Sequence, residues 1–155
     1  MLRHSWSAES QTSPAGNQPL INQLLIPVEN QGLHDITPRV SSAVASAGLQ
    51  EGLCTLFIQH TSASLLIQEN YDPSARQDLE VWLNRLVPEG DPLYTHTLEG
   101  ADDMPAHIKA ALTATNLSVP VLDGRLALGT WQGIFLWEHR AQPHRRRLVV
   151  TVMGE

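Results

Sequence analysis

Residues 60–64 form a polar block, HTSAS, inside the otherwise apolar stretch LCTLFIQHTSASLLIQEN. An imidazole and three hydroxyls that leave water each need a hydrogen-bond partner, or they cost roughly a few kcal/mol apiece. A buried strand has no packing use for such groups, so we expect the block to line a site. His60, Thr61 and Ser62 are therefore candidates for contact with a ligand.

Three of the seven histidines lie where a metal ligand could be expected. His60, His96 and His107 each fall in a polar break at the edge of a regular element, close to Thr, Ser, Glu or Asp. Imidazoles oriented by carboxylates are typical of Zn²⁺ sites, in which three protein ligands leave one position open for catalysis. We therefore predict that the three converge on a divalent metal, with Zn²⁺ preferred. The solvated surface is expected for His4, His34, His139 and His144.

Two other uses of these residues stay open. Three structural histidines, each hydrogen-bonded at the end of an element, would need no metal. A phosphate is the second alternative, bound by the first turn of a helix predicted over 105–115 and by the polar groups of Thr61, Ser62, Ser64, Thr130 and Gln132. A serine nucleophile is not supported, because HTSAS lacks the glycine-flanked elbow of such sites.

A general acid or base is predicted on the clearest helix of the sequence. Asp72-Pro73 is a strong helix start, and an inward face is indicated by Ala75, Leu79, Trp82, Leu83 and Leu86. Asp78 lies on that same face, and an inward carboxylate suits proton transfer, as does Glu69. A salt bridge or a capping role is the competing interpretation.

The remaining patterns predict an α+β fold. Thr37-Pro38 starts a short helix that Gly48 ends, and Asp123-Gly124 is a two-residue hairpin signal. Strands are predicted near 20–29, 31–37, 53–60, 63–69, 129–139 and 147–153. No glycine-rich phosphate loop joins a strand to a helix. We expect a single domain with a mainly antiparallel sheet or sandwich core and two or three helices.

Length and composition restrict the class of protein. A chain of 155 residues with 42% hydrophobic residues fits one domain over 20–155, preceded by a polar, flexible arm over 1–19. A net charge of −6 disfavours nucleic-acid binding, and no apolar run is long enough for a membrane span. The Arg145–Arg147 run is expected to be a solvated loop or a strand start. The single cysteine, Cys54, is predicted to be a core residue of a protein in a reducing cytoplasm.

Longer motifs carry a resemblance to a known family. They are HTSASLLIQEN, the following DP with its Asp78 helix, HxxEGxDDMPAHIKAAL, DGRLALGTWQGIFLWEHR and RRRLVVTVMGE. Together, over residues 20–155, they resemble the small YjbQ-like family, also described as secondary thiamine-phosphate synthase proteins. The resemblance implies a compact α+β fold, a homotrimer, and a weak transferase activity that joins a pyrimidine diphosphate to a thiazole phosphate with loss of pyrophosphate.

The resemblance also implies a set of polar site residues. These are His60, Thr61, Asn70, Asp78, His96, His107, Trp131 and Gln132. We take His60, Asp78 and His107 as the catalytic candidates, with the substrate contacted by Thr61, Ser62, Asn70, Trp131 and Gln132. The expected protein acts on a phosphorylated small molecule, and the alternative is a non-catalytic protein that binds a metal or a phosphorylated metabolite.

Overall fold

Eight strands and three helices follow one another along residues 18–155, the part of the chain that the computed structural model describes. The strands are β1 (Leu20–Val28), β2 (Gly32–Asp35), β3 (Gly52–Ile58), β4 (Ala63–Glu69), β5 (Asn116–Leu122), β6 (Arg125–Leu126), β7 (Gln132–Glu138) and β8 (His144–Gly154). The helices are α1 (Thr37–Ala47), α2 (Pro73–Leu86) and α3 (Asp103–Leu112). The predicted α+β class is confirmed. The predicted arm falls on residues 1–17, which lie outside the described part, and on Gln18 and Pro19.

The strands form two antiparallel sheets, which together position the polar residues. One sheet has the order β1-β8-β3-β5-β6, and the other has the order β2-β7-β4. In the second sheet, β4 and β7 pair from Ala63 opposite Glu138 to Glu69 opposite Gln132. The two ends of this pair are roughly 20 Å apart at about 3.4 Å per residue. Side chains at opposite ends therefore cannot meet in one chain.

The core is built from alternate residues of the larger sheet together with α1. In β8, Leu148, Val150 and Val152 are fully buried, and Val40 and Val44 of α1 pack in the same cluster. Each fully buried aliphatic side chain contributes roughly 1.5–3 kcal/mol to stability. Cys54 is also buried here, and burial raises its pKa to about 11, which confirms it as a core residue and not a nucleophile.

Most local start and stop signals act as predicted, but Thr37 is the first residue of α1 and not its N-cap, which is Ile36. The Asp72 side chain caps α2 by accepting a hydrogen bond of 2.9 Å from the Ser74 N–H, and Gly48 ends α1 with a φ of 67°. Asp123 and Gly124 have φ values of 50° and 71°, as a type I′ hairpin turn requires. None of the helices in residues 18–155 is long and apolar enough to cross a membrane.

The inward face of α2 differs from the prediction. Leu83 is its buried residue, and Leu79 packs beside it, but Trp82 is exposed and so is Asp78. The reason is Glu80, whose carboxylate turns inward and accepts a hydrogen bond of 2.7 Å from the Leu33 N–H at the edge of β2. With Glu80 and Leu83 on the inward side, Asp78 lies on the exposed side of the helix, so the expectation that it points inward is wrong.

Candidate metal centre

A cluster of three side chains forms at the start of α3. This helix begins at Asp103, two residues before the predicted start, and residues four apart share a helix face, so Asp103 and His107 lie side by side. His96 reaches them from the loop between α2 and α3. One ligand atom from each of the three residues lies within 4.8 Å of the other two. Within residues 18–155, they are the one such trio of His, Cys, Asp or Glu side chains.

The carboxylate of Asp103 is buried and lies next to both histidines of the cluster. Asp103 is 1% exposed, and its Oδ1 accepts from Nη1 of Arg140. Its Oδ2 lies 2.8 Å from Nε2 of His96 and 3.5 Å from Nε2 of His107, yet neither contact has hydrogen-bond geometry, and the atom has no hydrogen-bond partner. A buried carboxylate oxygen without a donor is costly. A cation shared with the two imidazoles would satisfy it.

Neighbouring groups hold the ligands in place. The Arg140 guanidinium also donates to Asp102 Oδ2 at 3.1 Å and to the Glu99 carbonyl at 2.8 Å. Burial disfavours the charged form of Asp102, but the Ala141 N–H and Arg140 outweigh that effect and keep its pKa below its usual value. Arg140 therefore holds the Asp103 carboxylate in a fixed position.

The HTSAS block orients His107 through its backbone. His107 Nδ1 lies 3.0 Å from the Thr61 carbonyl oxygen, which can only accept a hydrogen bond, so Nδ1 carries the proton. In the neutral ring, Nε2 then has a free lone pair facing Asp103. In most metal-bound histidines, the ring nitrogen that does not bind the metal likewise donates to a carbonyl, a carboxylate or water.

The donor set therefore fits a divalent metal. Two imidazole nitrogens and one carboxylate oxygen are the protein ligands of several catalytic zinc and non-haem iron sites, which leave positions for water or substrate. His96 is half exposed, so one side of the cluster faces solvent. A cavity of about 340 Å³, lined in part by Tyr94, His96 and Met104, opens there.

His60 lies in the same polar block but outside this cluster. Its Nε2 accepts a hydrogen bond of 2.7 Å from the Arg147 N–H, and its Nδ1 lies 3.4 Å from Nη1 of Arg146. Burial, and then the Arg146 guanidinium, lower the pKa of His60. The structure thus brings together two of the three predicted imidazoles, with Asp103 as their companion.

The remaining predicted residues lie elsewhere. Asn70, Trp131 and Gln132 gather at the opposite end of the β4–β7 pair from Ala63, where the Asn70 N–H donates to the Trp131 carbonyl at 2.9 Å. Trp131 packs edge-on against Tyr71 with ring centroids 4.7 Å apart, beside a cavity of about 400 Å³. Asp78 stands on the exposed face of α2.

Besides Asp103, four buried polar residues were not predicted from the sequence. His139, expected on the surface, is 1% exposed, and its Nε2 lies 2.9 Å from Ser64 Oγ. Arg146, expected in a solvated loop or at a strand start, lies near the start of β8 but is 3% exposed, and it forms two hydrogen bonds with the fully buried Glu138, of 2.5 and 2.6 Å. Lys109 is 2% exposed and donates to Asn84. The alternation of β8 could have revealed Arg146, because it shares the inward parity of Leu148 and Val150.

Buried His139 predicts a loss of stability in acid. Burial, and then the positive charges of Lys109 and Arg146, lower the pKa of His139 from 6.5 to about 3 in the folded state. The unfolded chain therefore binds this proton first, so the free energy of unfolding should fall as the pH drops from about 6.5 towards 3. The contribution is at most about 1.4 kcal/mol per pH unit.

Urea denaturation near neutral pH and at about pH 5 measures this effect. The His139→Gln variant lacks the titrating group, so it should lose less stability between the two conditions than the wild type. An equal loss in both proteins would show that His139 is not responsible.

Comparison with known proteins places the chain in a family. The family model described as UPF0047 protein YjbQ-like matches residues 22–155. A UPF0047 protein from Synechocystis sp. is 51% identical over 132 residues, covering 85% of this chain and 90% of that protein. UPF0047 protein YjbQ from Escherichia coli O157:H7 is 44% identical, covering 85% and 96%. The crystal structure of an uncharacterized conserved YjbQ/UPF0047 protein from Clostridium acetobutylicum has a TM-score of 0.77 at 35% identity, covering 84% and 98%. The chain therefore belongs to the YjbQ-like UPF0047 family.

Proposed function

We propose that the protein is a metal-dependent enzyme that acts on a phosphorylated small molecule at His96, Asp103 and His107. The observation that carries this proposal is the buried Oδ2 of Asp103, which faces two imidazole Nε2 atoms and has no hydrogen-bond partner. Zn²⁺ is the preferred ion because its ligands are typically imidazole and carboxylate groups. When bound, such an ion acts as a Lewis acid towards a phosphoryl oxygen.

The chain's own residues have distinct roles in this proposal. Asp103 supplies the carboxylate, and Arg140 orients it by donating to Oδ1. The Thr61 carbonyl keeps the Nδ1 proton on His107. The half-exposed His96 lies on the side from which a substrate would approach.

The reaction proposed first is the one that the family resemblance implies, transfer of a pyrimidine group to a thiazole phosphate with loss of pyrophosphate, as a secondary activity. Metal-free protein reconstituted with Zn²⁺, Mn²⁺ or Mg²⁺ should be assayed for this transfer and for phosphate release from a panel of phosphorylated small molecules. Turnover should require added metal and should be lost in His96→Ala. Equal turnover with a chelator present would contradict the proposal.

A non-catalytic metal-binding protein is the second candidate. The position of Asp78 favours it, because the carboxylate predicted as general acid or base lies on the exposed face of α2 and not beside the metal ligands. Stoichiometric metal binding without turnover on any phosphorylated compound would support this alternative. Loss of turnover in Asp78→Asn, with metal affinity unchanged, would support the enzyme.

We also propose that the protein assembles as a homotrimer, as the family resemblance implies. Support comes from the outer face of the larger sheet, where exposed apolar side chains form a patch of Ile21, Leu25, Leu53, Phe57 and Met153. Leu53 pairs directly with Met153 on adjacent strands. An apolar surface of this kind is typical of a protein interface.

Light scattering at micromolar concentration should give a mass three times the 17.1 kDa of one chain. The Leu53→Glu variant should shift that mass downwards, because it places a charge in the patch. A wild-type mass of one chain would contradict the homotrimer. A cytoplasmic location, proposed from the single buried Cys54, is a separate prediction.

A further inference from the structure

We propose that a second site, beside the turn between β3 and β4, binds the phosphoryl group of a substrate through His60 and Arg146. The site is a cavity of about 540 Å³ lined by Phe57, Ile58, Gln59, His60, Thr61, Ser62 and Thr115. Arg146 is not itself a lining residue but lies against two of them, with Nη1 3.4 Å from His60 Nδ1 and Nη2 3.4 Å from the Ser62 carbonyl oxygen. The assignment deepens the proposed function and rests on it only for the phosphorylated substrate.

The tautomer of His60 is determined by its backbone contact. The Arg147 N–H donates to His60 Nε2 at 2.7 Å, so Nε2 must hold a lone pair. Burial and the nearby Arg146 lower the pKa of His60, which keeps the ring neutral. A neutral imidazole with an accepting Nε2 carries its proton on Nδ1. His60 therefore presents an N–H donor on its other side.

That donor faces a second donor. Arg146 is 3% exposed, and its Nε and Nη2 donate to Glu138 at 2.6 and 2.5 Å. Its Nη1 lies 3.4 Å from His60 Nδ1 and has no other polar partner among residues 18–155. Two N–H groups at this distance cannot bond to each other. An acceptor placed about 2.8 Å from each would satisfy both.

The surroundings of the donor pair favour a phosphoryl oxygen as this acceptor. Thr61, Ser62 and Thr115, which carry hydroxyls, are among the lining residues, and the Glu138 carboxylate beside the donor pair is already bonded to Nε and Nη2 of Arg146. The donors come from three segments of the chain, which suits a tetrahedral oxyanion better than a planar carboxylate. Arginine and hydroxyl donors are usual phosphate ligands.

The donor site adjoins the candidate metal centre through a single residue. Thr61 lines the cavity, and its carbonyl oxygen accepts from the metal-side imidazole of His107 at 3.0 Å. A phosphoryl group held at His60 and Arg146 would therefore lie beside the His96–Asp103–His107 cluster. This position explains why His60 lies outside the metal cluster but in the same polar block.

Titration of the chelator-treated full chain with inorganic phosphate, followed by calorimetry, tests this site. We expect His60→Ala and Arg146→Lys to weaken binding at least about tenfold, because each removes one donor of the pair. His34→Ala, a histidine bonded to the Asn30 carbonyl away from the cavity, should bind as the wild type does. Asp103→Asn should also retain phosphate binding.

Nitrogen-15 NMR of the wild type gives a readout that does not depend on the folding of a variant. Phosphate should shift the His60 Nδ1–H resonance and leave that of His34 in place. Unchanged affinity in His60→Ala, an unmoved His60 resonance or no binding by the wild type would overturn the proposal. If phosphate binding were lost only in Asp103→Asn, the phosphate would lie at the Asp103 cluster, and the proposed His60–Arg146 site would be wrong. The proposed metal-dependent function would be unaffected by that result.

Discussion

Asp103→Asn is expected to reduce zinc affinity by at least about 100-fold. The substitution removes the charged ligand from a set of three, and loss even of an outer-shell partner costs about 10–100-fold in metal affinity. Wild-type protein should bind one ion per chain, whereas the variant should bind well below one under the same conditions. Competition titration with a chromogenic chelator measures both values.

Two further variants make this result specific. Asp72→Asn replaces an exposed aspartate at the start of α2, where asparagine caps equally well, so its zinc affinity should match the wild type. His96→Ala alters a half-exposed side chain in a loop and should weaken binding without loss of thermal stability. Wild-type affinity in both Asp103→Asn and His96→Ala would contradict the assignment of these ligands.

Glu138→Gln is expected to lower the free energy of unfolding by about 3–5 kcal/mol. Glu138 is fully buried and bonds to Arg146 through both carboxylate oxygens, so the variant leaves a buried guanidinium without its counter-charge. Urea denaturation at neutral pH measures the loss. Glu29→Gln, which alters an exposed glutamate, should change stability by less than about 0.5 kcal/mol.

The double variant Glu138→Leu with Arg146→Met tests the cause of that loss. Replacing both partners with apolar groups removes the unpaired charge, so most of the stability should return. If Glu138→Gln costs less than about 1 kcal/mol, water must reach the pair and the buried-charge account is wrong. Persistence of the full loss in the double variant would point to packing instead.

The elements themselves were predictable because their signals are local. Asp72-Pro73, Gly48 and Asp123-Gly124 each act within a few residues, through a cap, a left-handed residue or a tight turn. The orientation of α2 was not predictable from these signals. Its inward side carries Glu80, which bonds to Leu33, a contact between residues 47 positions apart.

The candidate site was predictable only in part. His96 and His107 were named from their polar surroundings, but Asp103 was missed because the helix was predicted to begin at 105, which hides its four-residue spacing to His107. Whether all three histidines converge depends on how separate segments of the chain pack together, which local sequence patterns do not indicate. The structure gives His60 a different neighbour, the inward-facing Arg146 of β8.

A crystal structure of the zinc-loaded full chain, with anomalous scattering recorded at the zinc edge, tests the central claim most directly. The account predicts one anomalous peak per chain, about 2.0–2.2 Å from Nε2 of His96, Nε2 of His107 and Oδ2 of Asp103. A peak at His60, or no peak at the start of α3, would contradict it.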